Sequence, residues 1–250
     1  MYSRIPVPGA VWKDGTPAYT IGFFPCVGLI IGALHYMGFL CLPVPAAAKA
    51  LILAVLPLLV TGGIHVDGYM DTADAFHSYG DREKKLEILS DPHIGAFSVI
   101  RLLILAGLYL AGLIILISDS GWETLQKEAV LCFSGSFILS RCASGILLII
   151  LPPAKKEGMA SEMKQHSPLK ANLILLGIQA AAVIIAGVII SPIIMTMGVL
   201  TAMLVTVFFL FGKVRALGGI TGDLCGWYLC VTECGMLCSM AVIYLVLKGF

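Results

Sequence analysis

The sequence is short of charge: Asp, Glu, Lys and Arg make up 12% of its 250 residues, against about a quarter in an ordinary soluble domain. The formal net charge is only +1, which leaves no basic surface to attract a nucleic acid. The opening Met-Tyr-Ser-Arg-Ile-Pro-Val-Pro lacks a charged segment followed by an apolar one, so no cleaved signal peptide is expected. A disulfide framework is not expected either. Cys132, Cys142, Cys230, Cys234 and Cys238 sit inside apolar runs and read as small packing residues. What the chain does have is apolar side chains, 59% of the total. For most of its length the solvent must be lipid.

A bilayer core about 30 Å thick needs about 20 residues of helix to cross it. Seven stretches approach that length: 20–42, 46–63, 97–117, 129–151, 172–190, 193–211 and 227–247. The predicted fold is therefore all-α, a polytopic membrane bundle of about seven transmembrane helices forming one domain over residues 1–250. The second stretch is the weakest, being short and holding Lys49 and Pro57. With seven spans, twelve of the Lys and Arg residues fall on one side and three on the other, with Arg141 inside a span. Positive connections stay in the cytoplasm, so the N-terminus is expected there. A loop near 62–96 and a basic loop near 152–171 share that side.

The loop near 62–96 opens with Thr61-Gly-Gly-Ile-His-Val-Asp-Gly-Tyr-Met-Asp-Thr-Ala-Asp. Asp67, Asp71 and Asp74 are spaced i, i+4, i+7, so in a helix they share one face. Nothing in the segment neutralises them, and a divalent cation would. Carboxylate oxygens suit Mg²⁺, which keeps positions for water and substrate phosphate. Gly62, Gly63 and Gly68 allow a phosphate to approach the backbone closely, and His65 is a candidate ligand or proton carrier. The plainer alternative is a solvated acidic loop whose Asp residues cap helices.

Gly218-Gly-Ile-Thr-Gly-Asp223 echoes Gly62-Gly-Ile-His-Val-Asp67 before the last span, which adds Asp223 to the candidate metal ligands. Glu233 lies inside that span, and an ionisable residue in lipid is a functional candidate by default. Arg141 should find either an acid such as Glu233 or a substrate phosphate. Asp91 and Arg101, with His93, flank the start of the third span and are expected near one face as substrate-binding candidates. Lys155, Lys156, Lys164 and Lys170 either set orientation alone or gather an anionic substrate. His35 and His77 read as packing or interfacial residues.

In these residues the sequence resembles the cobalamin synthase (adenosylcobinamide-GDP ribazoletransferase) family. The likeness runs through Ser3-Arg-Ile-Pro-Val-Pro, Phe24-Pro-Cys-Val-Gly-Leu-Ile-Ile-Gly, the Gly62–Asp74 block, Asp91-Pro-His-Ile-Gly-Ala-Phe, Ser140-Arg141, Glu157-Gly-Met and Gly218-Gly-Ile-Thr-Gly-Asp. It departs at Ala75, where the family pattern has Gly, and at His93, where it has Arg. The resemblance implies a Mg²⁺-dependent enzyme of the bacterial or archaeal cytoplasmic membrane, with its site facing the cytoplasm. It would join adenosylcobinamide-GDP to α-ribazole or its 5′-phosphate and release GMP. On this reading Asp67, Asp71 and Asp74 hold metal, Asp74 or His65 accepts the hydroxyl proton, and Arg141 and the basic loop hold phosphate. The partners implied are these small molecules and the bilayer, with a homo-oligomer left open. The rivals are a CDP-alcohol phosphotransferase, whose motif places Ala-Arg shortly after Asp-Gly, and a cation transporter, whose acids should line the bilayer midplane.

Overall fold

The computed structural model describes residues 20–118, 123–155, 161, 164 and 168–249. Among them the structure is helical, apart from one isolated parallel bridge between Pro153 and Ile220. The elements are α1 (Phe24–Cys41), α2 (Ala46–Thr61), α3 (Ile64–His77), α4 (Arg82–Ile88), α5 (Ala96–Ile117), α6 (Glu123–Ile150), α7 (Leu169–Ile190), α8 (Pro192–Leu217) and α9 (Gly222–Lys248). Six of these, α1 and α5 to α9, are long and apolar enough to cross a membrane. The predicted second span is the exception. α2 has 16 residues, about 24 Å of rise, and it qualifies only jointly with α3, as a span bent by 93°.

That bend corrects the reading of 64–96 as a loop. Gly62 and Gly63 take φ of 71° and 83°, a left-handed conformation open to glycine at no steric cost. The first ends α2, its N–H bonding back to Leu58 O at 2.8 Å, and the second starts α3. α3 therefore leaves the end of α2 at nearly a right angle. A second helical stretch, α4, begins at Asp81, whose side chain accepts from the Lys84 N–H.

α6 and α9 form the centre. Phe133 and Phe137 of α6, and Met236, Leu237, Met240 and Tyr244 of α9, are fully buried together with Leu113 and Leu116 of α5. Outward faces carry exposed apolar residues such as Leu103, Ile174, Ile189 and Val246, the surface that lipid tails require. α1 meets α6 through Gly28 and Gly32, a small-residue pair one turn apart that lets membrane helices approach closely. A Cβ at Gly28 would stand 2.2 Å from the Phe137 carbonyl oxygen, and one at Gly32 2.4 Å from that of Ser134. Relieving such backbone overlap means separating the helices, at a cost on the order of 1–3 kcal/mol. Gly28→Ala is therefore expected to lower thermal stability in detergent. Gly177→Ala, at a position with open space beside it, is expected to leave the unfolding temperature unchanged.

Candidate active site at the α3–α9 crossing

α3 and α9 touch at glycines. A Cβ on Gly68 would lie 2.8 Å from Asp223 Cα, and one on Gly226 would lie 2.7 Å from the His65 carbonyl oxygen. Asp67 and Asp223 occupy the first turns of α3 and α9, where helix dipoles favour negative charge. The echo between Gly62–Asp67 and Gly218–Asp223 is structural as well. Gly218, at φ 67°, ends α8 as Gly62 ends α2, and the Thr221 hydroxyl caps α9 by accepting from the Leu224 N–H. The turn is pinned from outside. Ile220 N–H bonds Pro152 O, Ala154 N–H bonds Ile220 O, and the Arg82 guanidinium spans the Leu217 and Ala154 carbonyls at 2.8 and 3.0 Å. Arg82 has no signal in the sequence beyond its charge.

α3 is helical as the acid spacing requires, so Asp67, Asp71 and Asp74 share a face. Burial first, and then the neighbouring carboxylates of Asp67, Asp223 and Asp74, raise Asp71 from 3.8 to about 6. Asp67 is exposed and, with Gly62 and Gly63, lines an open groove of ≈ 690 Å³ at the α2–α3 elbow. Asp74 is committed differently. Its two oxygens accept the Gly95 and Ser98 N–H groups at 2.7 and 2.8 Å, capping α5 across 21 residues of chain. This is the capping role the sequence left as the alternative, and it applies to this Asp alone.

Other expected site residues lie elsewhere. His65 falls on the opposite side of α3 from the acids. It meets the Phe24 ring edge-on at 5.7 Å, and its Nε2 is buried with no hydrogen-bond partner among the described residues. Arg141 Nη1 bonds Glu233 Oε1 at 2.7 Å and Phe137 O at 2.8 Å, and the Ser140 hydroxyl donates to the same Glu233 oxygen at 2.7 Å. Of the two partners open to Arg141, the structure supplies the acid, and Glu233 is held inside the bundle apart from the α3 carboxylates. Asp91 pairs with His93 Nδ1 at 2.6 Å on an exposed turn. Arg101 is not gathered with them, because it lies beyond the far side of α3. Lys155 bonds Ser90 Oγ at 2.5 Å and faces Asp223 electrostatically. Lys156 lies outside the described residues.

Among the described residues, no three His, Cys, Asp or Glu side chains converge tightly enough to coordinate an ion as they stand. Asp67, Asp71 and Asp223 nonetheless fit a cation of the Mg²⁺ kind, which needs only one or two carboxylates and fills its other positions with water and phosphate. Their mutual repulsion is what such an ion would relieve.

Two measurements test this geometry. Asp74→Ala uncaps α5 and is expected to cost about 0.5–2 kcal/mol, with Asp74→Asn recovering part of it; the check is thermal unfolding in detergent. For Asp71 the folded state holds its proton up to about pH 6, whereas the unfolded chain releases it near 4. Its contribution is therefore present at acid pH and lost as pH rises through that window. With chelator present, Asp71→Asn is expected to stabilise the protein above pH 6, with the gain vanishing below about pH 4. A gain that does not change with pH contradicts the cluster.

The family model described as cobalamin-5-phosphate synthase matches residues 1–241. A protein of Lachnoclostridium phytofermentans named adenosylcobinamide-GDP ribazoletransferase is 34% identical over 246 residues, covering 97% of this chain and 90% of the relative. Proteins of the same name match from Clostridium perfringens, at 32% identity over 93% of this chain and 91% of theirs, and from Acinetobacter baumannii, at 30% over 90% and 87%. No solved structure matches. A match of this extent makes the chain a member of the cobalamin-5-phosphate synthase family.

Proposed function

We propose that this protein is a membrane phosphotransferase that joins adenosylcobinamide-GDP to α-ribazole or its 5′-phosphate, releasing GMP. The observation that carries the proposal is the α3–α9 crossing, where Gly68 lies against Asp223 Cα and sets Asp223 beside Asp67 and Asp71, in a chain whose relatives bear that enzyme name. The reaction is an attack by an alcohol oxygen on one phosphorus of a pyrophosphate, with a nucleoside monophosphate leaving. It demands alignment and charge neutralisation. Asp67 and Asp223 would hold Mg²⁺, which when bound offsets the charge on the pyrophosphate oxygens.

The chain's own groups do the rest. Asp71, whose proton affinity burial and the neighbouring carboxylates raise, is the group whose Oδ would take the proton of the attacking hydroxyl. The N-terminus of α9, where Asp223 stands, would offer backbone N–H groups and a positive dipole end to an anionic phosphate. Lys155, tethered to Ser90, adds a cation beside Asp223. Charge alternation favours the cytoplasmic face of the cell membrane for this site. The transporter reading is disfavoured because Glu233, the acid within a span, is neutralised by Arg141 instead of lining an ion path.

The test is GMP release with corrinoid product from proteoliposomes given adenosylcobinamide-GDP, α-ribazole and Mg²⁺. Asp71→Asn is expected to lower turnover about 10²- to 10⁴-fold, whereas Asp67→Asn and Asp223→Asn are expected chiefly to raise the Mg²⁺ concentration required. Undiminished turnover in Asp71→Asn contradicts the proposal, and so does wild-type protein that forms no product.

A further inference from the structure

The side of α3 turned away from the acids lines a separate cavity of ≈ 310 Å³, enclosed by Tyr69, Phe76 and His77 with Arg101 of α5, Lys213 of α8 and Trp227 of α9. The Lys213 ammonium sits 3.8 Å from the centre of the Phe76 ring and 4.9 Å from that of Trp227. Trp227 stacks on Phe209, and His77 stacks on Phe97 at 3.5 Å. The Tyr69 hydroxyl donates to the Arg101 carbonyl oxygen at 3.1 Å and fixes the start of α5 against α3. Lys213 belongs to a π-helical turn, Phe209–Val214. One extra residue in a turn rotates the remainder of the helix by about 100°, and such turns recur at functional positions.

Neither cation has a carboxylate partner within 4.0 Å among the described residues. Two positive groups with aromatic walls and no counter-ion call for an anion. Position narrows the choice. The cavity lies near the ends of α5, α8 and α9, three helices long and apolar enough to cross a membrane. Beside it, Phe97 stacks on His77, and Phe97, Ile100 and Ile104 of α5 are exposed, as are Phe208 and Phe211 of α8. A ligand seated here has a charged head between Arg101 and Lys213 and apolar surface beside it.

We propose that this cavity binds the phosphate headgroup of an anionic phospholipid, with its acyl chains lying along the exposed flanks of α5 and α8. Aromatic residues near the ends of membrane helices suit an amphipathic boundary, and paired basic residues between helix ends select anionic lipid. The site is distinct from the acids on the opposite face of α3, and it does not depend on the phosphotransferase reading.

The test uses the full chain with Trp12 and Trp122 replaced by Phe, leaving Trp227 as the fluorophore, in phosphatidylcholine vesicles doped with brominated phosphatidylglycerol or brominated phosphatidylcholine. Bromine quenches an indole that its chain touches. The anionic lipid is expected to quench Trp227 at a mole fraction on the order of thirty-fold lower, the selectivity two surface cations supply. R101Q/K213Q is expected to abolish that preference, and R101K/K213R, which keeps both charges, to retain it; circular dichroism and elution volume confirm that each variant is folded. Equal quenching by the two lipids overturns the proposal. So does a preference that survives R101Q/K213Q, or is lost in folded R101K/K213R. Displacement by inorganic phosphate would assign the pocket to a soluble phosphate compound and overturn the lipid assignment.

Discussion

How closely α3 can approach α9 is set by Gly68 and Gly226, and the site depends on that distance. With any side chain at either position the helices would have to separate, since a Cβ would meet backbone atoms at 2.8 and 2.7 Å. Contact at this range sets Asp223 against α3 beside Asp67 and Asp71. Burial first, and then repulsion from the neighbouring carboxylates, raises the proton affinity of Asp71. A fold that holds three acids together in this way stores unfavourable charge that only a proton or a cation relieves, a pattern associated with function more than with stability.

The crossing is braced from both sides. Within the bundle, Arg141 of α6 and Glu233 of α9 form an ion pair at 2.7 Å, with the arginine side chain 1% exposed. Removing either partner of a buried pair strands the other charge and typically costs about 3–5 kcal/mol. At the bundle end, Asp74 caps α5, and Arg82 ties α4 to the turn that precedes α9. The left-handed glycines Gly62 and Gly218 release α3 and α9 from the helices before them, so the site can be positioned independently of α2 and α8.

The spans were legible because lipid imposes one strong constraint, a run of apolar residues long enough to cross. α5 is predicted at 97–117 and found at Ala96–Ile117. The acid face was legible for a similar reason, since i, i+4, i+7 spacing survives in any helix. What was not legible depends on partners distant in sequence. Nothing local to Asp74 shows that its oxygens are taken by amides 21 and 24 residues on. Nothing near Arg101 shows that α3 intervenes between it and the acids. Gly62-Gly63 was visible as a motif, but its work is to bend the chain, and α3 is a helix where a loop was expected. Glu233 illustrates an unresolved choice: its place inside a span marked it as functional, and only the fold shows Arg141 against it.

At the centre of the proposed chemistry is a cation site that Asp67 and Asp223 share across the α3–α9 contact. Mn²⁺ has ligand preferences close to those of Mg²⁺, and its paramagnetic resonance signal reports binding directly, without turnover. Titrating Mn²⁺ into purified protein and its variants should show Asp67→Asn and Asp223→Asn each weakening binding, with the double variant weakened by less than the sum of the two free-energy changes, as expected for groups sharing one ligand. If Asp223→Asn binds Mn²⁺ as tightly as the unaltered protein, the two helix ends do not share a site and the account is wrong.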